Sequence, residues 1–193
     1  MIYLNDLMNF LMNCMILMMN EGDFINPWSC KKWYEFYSSA QSVRSSLRMH
    51  YCKGIDDRLK IVFNDFSKWL RKKYVFPIRV SVYIKNSFYI KAMDGENVSA
   101  TFLGPFDRLA EPYIKIAVGD YYDLVEKYNE FNALCSSIAS LAHELTHYYQ
   151  WLNDVVLSEN QEERQANYYA RKIVQTYLDE QGYDFLEQVI ESQ

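Results

Sequence analysis

The stretch Leu141-Ala-His-Glu-Leu-Thr-His-Tyr-Tyr-Gln-Trp151 decides how this chain is read. It holds two of the three histidines, His143 and His147, four positions apart, with Glu144 beside the first. A helix turns once every ~3.6 residues, so positions i and i+4 share a face and two imidazoles there can hold one metal ion. The neighbouring carboxylate, Glu144, can reach a water on that ion. H-E-x-x-H is thus the pattern of a zinc hydrolase, usually a peptidase, provided that it lies on a helix and a third ligand stands close by.

The helix is supported by periodicity. Leu134, Ile138, Leu141, Leu145, Tyr148 and Leu152 recur at steps of four and three, the mark of one buried face. No Pro or Gly interrupts Tyr128 to Val156, and residues from Asn153 to Glu159 are left to make the turn to the next element. His143 and His147 fall outside the apolar series, on a second face with Ser136, Ser140 and Gln150. The next segment, SENQEERQANYYARKIVQTYL, reads as another helix, with Ser158 or Asn160 as N-cap and acidic residues in its first turn. On it Glu163, Ala166, Asn167, Ala170 and Val174 share a face. Two alanines there allow close approach to the first helix, so Glu163 is the candidate third ligand. Its spacing to Asn167 and Ala170 favours it over Glu162. Asn167, one turn on, can accept a hydrogen bond from the second ring nitrogen of a ligand histidine, a contact that fixes tautomer and orientation.

H-E-x-x-H followed by E-x-x-A-N-x-x-A, here His143 to His147 and Glu163 to Ala170, resembles the gluzincins, most closely the ImmA/IrrE-like group of small intracellular peptidases. The resemblance covers about the last third of the chain, at roughly seven positions. Many gluzincins carry Asp where this chain has Asn167, and a neutral amide polarises an imidazole less. The resemblance implies one zinc ion (Zn2+) on His143, His147 and Glu163, Glu144 as general base, and a protein or peptide substrate. A further oxyanion donor is often Tyr or His. Tyr148, Tyr149, Tyr168, Tyr169 and Tyr177 lie near the motif in sequence, and nothing in the pattern chooses among them.

The rest of the chain reads as a helical part over residues 1–75, then a catalytic core over 76–193, expected to be continuous with it in one domain at this length. Asn26-Pro27-Trp28-Ser29 is a turn expected to start a helix from about Cys30 to Tyr51, and a second helix is expected from about Asp56 to Lys73. Then the period changes: Ile78, Val80, Val82 and Ile84 alternate with polar or mixed residues, a half-buried strand. Ser87 to Met93 and Val98 to Leu103 flank Asp94-Gly95, a hairpin signal, and Tyr113 to Val118 alternates again. The expected fold is α+β: a small antiparallel sheet packed on the metal helix, a zincin-like core with a helical N-terminal part. In that fold a substrate adds as a strand to the sheet edge above the metal helix, and the hairpin strands or Tyr113 to Val118 are the candidates.

Composition sets bounds on compartment and partners. Cys14, Cys30, Cys52 and Cys135 form no C-x-x-C pair, which reads as reduced thiols and a cytoplasmic protein. The Met- and Leu-rich first twenty residues carry no Lys or Arg, and Asn5, Asn9 and Asn13 recur every four positions. That is an amphipathic helix packing on the domain or a partner, too short and polar to span a bilayer. Charge is uneven: residues 1–91 carry +7 and residues 92–193 carry −12, within a net −5. The basic half would suit nucleic acid, but no recognition motif accompanies it, so a solvated surface is the preferred reading. The unassigned first half and Asn167 motivate the alternative of a non-catalytic binding or inhibitory module that keeps a structural zinc.

Overall fold

The computed structural model describes residues 25–38, 43–92 and 95–192. The amphipathic helix expected over the first twenty residues lies outside them. The described chain forms helix α1 (Trp33–Tyr37), strand β1 (Leu47–Tyr51), helix α2 (Asp57–Lys73) and strands β2 (Val80–Lys85), β3 (Ile90–Lys91), β4 (Asn97–Val98), β5 (Ala100–Leu103) and β6 (Tyr113–Ala117). Helices α3 (Tyr121–Tyr128), α4 (Glu130–Leu152) and α5 (Glu159–Tyr177) follow, then a π-type turn, Leu178–Gly182, and α6 (Tyr183–Glu191). The class is α+β, with a small sheet on a helical layer.

The sheet is mixed, not antiparallel as the alternation suggested. Its order is β1-β2-β6-β5. β1 runs parallel to β2 and β2 parallel to β6, while β5 alone pairs antiparallel with β6. Parallel neighbours need a long crossover, and α2 supplies it between β1 and β2. Asp56 caps that helix by accepting from the Arg58 N–H at 2.8 Å, and Arg71, Lys72 and Lys73 close it where the helix dipole favours cations. Its Leu59, Val62, Phe63, Phe66 and Leu70 face the core.

The helix expected from Cys30 to Tyr51 is a second correction. Among the described residues only Trp33–Tyr37 is helical there, and Leu47–Tyr51 is a strand whose Leu47 sits opposite Val80. The serines at 38, 39, 42, 45 and 46 offer little helix propensity and no apolar face, so pairing with β2 wins. The span 1–75 is therefore not wholly helical; it contributes an edge strand. The expected hairpin also divides. β3 and β4 pair over two residues each around the turn at Gly95, whose φ is +89°, and the chain then leaves to form β5 against β6. Asp94 lies outside the described residues.

The stretch from Tyr128, free of Pro and Gly, is nevertheless broken at its start, and its helix ends at Leu152. Asn129 has φ +123° and separates α3 from α4, and its side chain caps α4 by accepting from the Asn132 N–H at 2.9 Å. Arg58 ties this end to α2, pairing with Asp56 and Glu130. From there α4 runs under the sheet with Leu134, Ile138, Leu141, Leu145, Tyr148 and Leu152 buried, as the periodicity required. One contiguous cluster of buried apolar residues extends from Trp28 to Val189 and joins both halves of the chain. Among the described residues no helix is long and apolar enough to cross a membrane.

Candidate metal centre

Helix α4 presents His143 and His147 one turn apart on the face turned toward α5. Their Nε2 atoms stand 3.1 Å apart. Helix α5 starts at Ser158, whose backbone N–H donates to the Gln161 side chain at 3.0 Å, the reciprocal half of a capping box. Ala166 and Ala170 are buried, and these small residues let α5 lie close to α4. That approach brings Glu163 to the histidines: its carboxylate oxygens lie 3.1 Å from His147 Nε2 and 3.4 Å from His143 Nε2. All three ligand atoms fall within 4.8 Å of one another, so the group can hold a metal ion.

The donor set fits a divalent ion of intermediate hardness, with two neutral imidazoles and one carboxylate converging from two rigid helices. Two hydrogen bonds from the histidines hold the Glu163 carboxyl well below the usual carboxylate range, against a smaller opposing effect of burial. Burial by itself would lower His147, but the hydrogen bond to Glu163 and the charges of Glu144 and Glu163 outweigh it and raise the imidazole above its ordinary value. Glu162 lines the same cleft, yet its backbone carbonyl is engaged by Gln150 Nε2 at 3.1 Å.

Glu144 is 6% exposed and also lines the cleft. Burial pushes its carboxyl up. The two imidazoles pull it down, the charge of Glu163 raises it again, and a backbone hydrogen bond from Phe102 lowers it; the net shift is upward. Phe102 belongs to β5, the edge strand, so the sheet edge closes over the carboxylate next to the metal ligands.

The cleft measures about 1050 Å³. Val98 to Phe102 form one wall and Glu159 to Arg171 of α5 the other. At one end Arg108 stacks over the Trp151 ring at 4.3 Å, donates to the Leu152 carbonyl at 3.0 Å and pairs with Asp154 at 3.1 Å. Of the two edge candidates, Ala100–Leu103 is the outer strand beside the cleft, while Tyr113–Ala117 is interior.

No family model, curated protein or solved structure matches this chain.

Other expected residues fall differently. Asn167 lines the cleft but is not the partner of His147 Nδ1. That place is taken by Gln150, whose Oε1 lies 2.8 Å away. Gln150 shares the polar face of α4 with the histidines, and the i, i+3 spacing was the only signal that could have found it. None of the five tyrosines lines the cleft. The Tyr148 and Tyr149 hydroxyls donate to the carbonyls of Ile78 at 2.8 Å and Val75 at 3.0 Å, and Tyr177 donates to Asp65 at 2.8 Å. Tyr168 and Tyr169 pack edge to face on each other, 5.0 Å between centroids. Tyr148, Tyr149 and Tyr177 are thus buried aromatics with engaged hydroxyls. The third histidine, His50, stacks on Tyr83 in the sheet, away from this group. Cys30, Cys52 and Cys135 are free thiols.

Proposed function

We propose that this protein is a zinc-dependent metallopeptidase built on a zincin-like core, with its nearest likeness among ImmA/IrrE-type gluzincins. One observation carries the reading: His143, His147 and Glu163 converge on one point, and the buried Glu144 stands next to it in the same cleft. Zinc, when bound there, supplies a Lewis acid that brings the pKa of water toward ~7 and polarises a carbonyl.

The chain's own residues do the rest. His143, His147 and Glu163 hold the ion from two helices whose spacing the small Ala166 and Ala170 set. Glu144 accepts the proton of the attacking water and later delivers it to the leaving amine. Its raised affinity for a proton, from burial, suits both halves of that task. An extended substrate segment adds to the outer edge of Ala100–Leu103 and passes over Glu144. The cleft is open enough for a polypeptide, and the substrate is a protein or peptide.

The test uses denatured casein and a mixed peptide library as probes, with new termini read by mass spectrometry. Zinc-loaded wild type cleaves and Glu144→Gln, with its zinc retained, is slower by ~10²–10⁴-fold. Equal cleavage by both proteins would overturn the assignment of Glu144. A folded, zinc-loaded wild type that cleaves nothing would favour the non-catalytic module.

A further inference from the structure

His147 is at the end of a chain of side-chain amides whose direction is fixed by the backbone. Gln150 is 4% exposed and Gln165 is 1% exposed, so both amides need partners inside the protein. Gln150 Nε2 lies 3.1 Å from the Glu162 carbonyl and 3.0 Å from Gln165 Oε1. Gln165 Nε2 lies 3.3 Å from the Ile25 carbonyl. A backbone carbonyl only accepts, so each carbonyl selects the NH2 end of the amide facing it. Gln150 Oε1 must then point the other way, toward His147 Nδ1 at 2.8 Å. An amide oxygen also only accepts. His147 Nδ1 is therefore protonated and donates, and Nε2, 3.1 Å from the Glu163 carboxylate, is the ring nitrogen presented to His143 and Glu163.

The far end of this chain is itself anchored. Residues 25–28 lie behind the metal helix and are held there by more than Gln165. Asn153 Nδ2 donates to the Pro27 carbonyl at 3.0 Å, and Trp28 Nε1 donates to Thr146 Oγ1 at 3.0 Å. Thr146 is the second variable position of H-E-x-x-H. The Trp28 ring packs on Tyr149 at 4.6 Å and on Tyr74 at 4.8 Å. A segment far from the motif in sequence thus closes the back of the metal helix.

We propose that Gln150 and Gln165 are positioning residues that hold His147 in the Nδ1–H tautomer, ready to ligate through Nε2, with the docked Ile25–Trp28 turn as the fixed end of the relay. At His147 the contact comes from Gln150 and not from Asn167. Flipping either glutamine would set amide NH2 against a donor and oxygen against a carbonyl, so the relay has one satisfied polarity. The zinc part of the proposal rests on the metal-site reading, and the tautomer part does not.

The experiment is long-range 1H–15N correlation on 15N-histidine-labelled, metal-free protein at alkaline pH, where the ring is neutral, in a Glu163→Ala background so that no carboxylate competes for the Nε2 proton, with zinc affinity measured on proteins that keep Glu163. Wild type, Gln150→Met and Gln165→Met are compared, with zinc affinity by chelator competition and fold by urea midpoint. With both glutamines present His147 shows the Nδ1–H tautomer. Gln150→Met mixes the two tautomers and weakens zinc by ~10–100-fold, while Gln165→Met gives a smaller shift of the same sign. A merely structural role would move the urea midpoint and leave the tautomer alone, and that result overturns the proposal. So does an Nε2–H tautomer with both glutamines present. If wild type takes up no zinc but Gln150→Met still loses the Nδ1–H form, the relay stands and the metal reading falls.

Discussion

The Trp28 indole donates a hydrogen bond to Thr146 at 3.0 Å, joining residues 118 positions apart. Thr146 in turn donates to the Ala142 carbonyl at 2.9 Å, so its buried hydroxyl both accepts and donates. Trp28→Phe keeps most of the ring contact with Tyr149 and removes the donor, so it should cost about 1 kcal/mol in urea denaturation. Trp28→Ala also loses the packing and should cost ~3–5 kcal/mol. Equal midpoints for wild type and Trp28→Ala would mean that this turn does not dock on the motif helix.

The metal-free protein should depend on pH in the opposite sense to the loaded one. His147 is raised in the fold, so its contribution is complete below its unfolded value of ~6.5 and disappears as pH rises through the higher folded value. Glu163 is lowered, so its contribution is present above ~4.3 and disappears as pH falls through the lower folded value. Metal needs deprotonated ligands, so stabilisation by zinc grows as pH rises. The difference in Tm between zinc-loaded and chelator-treated protein should therefore widen from about pH 5 to about pH 8. A constant difference across that window would argue against histidine ligation.

Cys135 reports on the packing of the motif helix. It is 2% exposed, and burial pushes its thiol up to about 12. It should stay unmodified by iodoacetamide in the native state and react on unfolding, while Cys30 and Cys52, both half-buried, provide the internal comparison. Mass mapping of alkylated peptides reads this directly. Modification of Cys135 as fast as that of Cys30 would show that α4 is not packed as described.

Leu141 and Leu145 are fully buried on the face of α4 turned away from the ligands. Leu145→Ala should cost ~2–5 kcal/mol in urea. Because the ligand face is separate, the folded fraction should still bind metal. Stability lost with unchanged metal binding per folded molecule is the expected pattern, and unchanged stability would contradict the burial of that face.

Legibility in the sequence followed the range of the interactions. The metal helix and its partner could be read because i, i+4 geometry turns local spacing into a shared face, and Glu163 followed from the alanines that let the two helices meet. The break at Asn129 was missed because neither Gly nor Pro marks it; a cap by an asparagine side chain does the same work. β1 was missed because Leu-Arg-Met-His-Tyr shows no clean alternation. Its strand character comes from pairing with Val80 to Ile84, which is not local. Sheet direction was missed for the same reason: alternation identifies a half-buried strand but says nothing about its neighbours. Gln150 was seen on the polar face of α4, but its role needs Gln165 and the Ile25 carbonyl, which only the fold brings near.

The most direct test of the central claim is the zinc content of purified, folded protein by elemental analysis, for wild type, His147→Ala and Glu163→Ala. The expected result is about one zinc per chain in wild type, lost or strongly weakened in both variants. A wild type that stays zinc-free after zinc is added and the excess removed, or variants that keep full occupancy, would contradict the three-residue site.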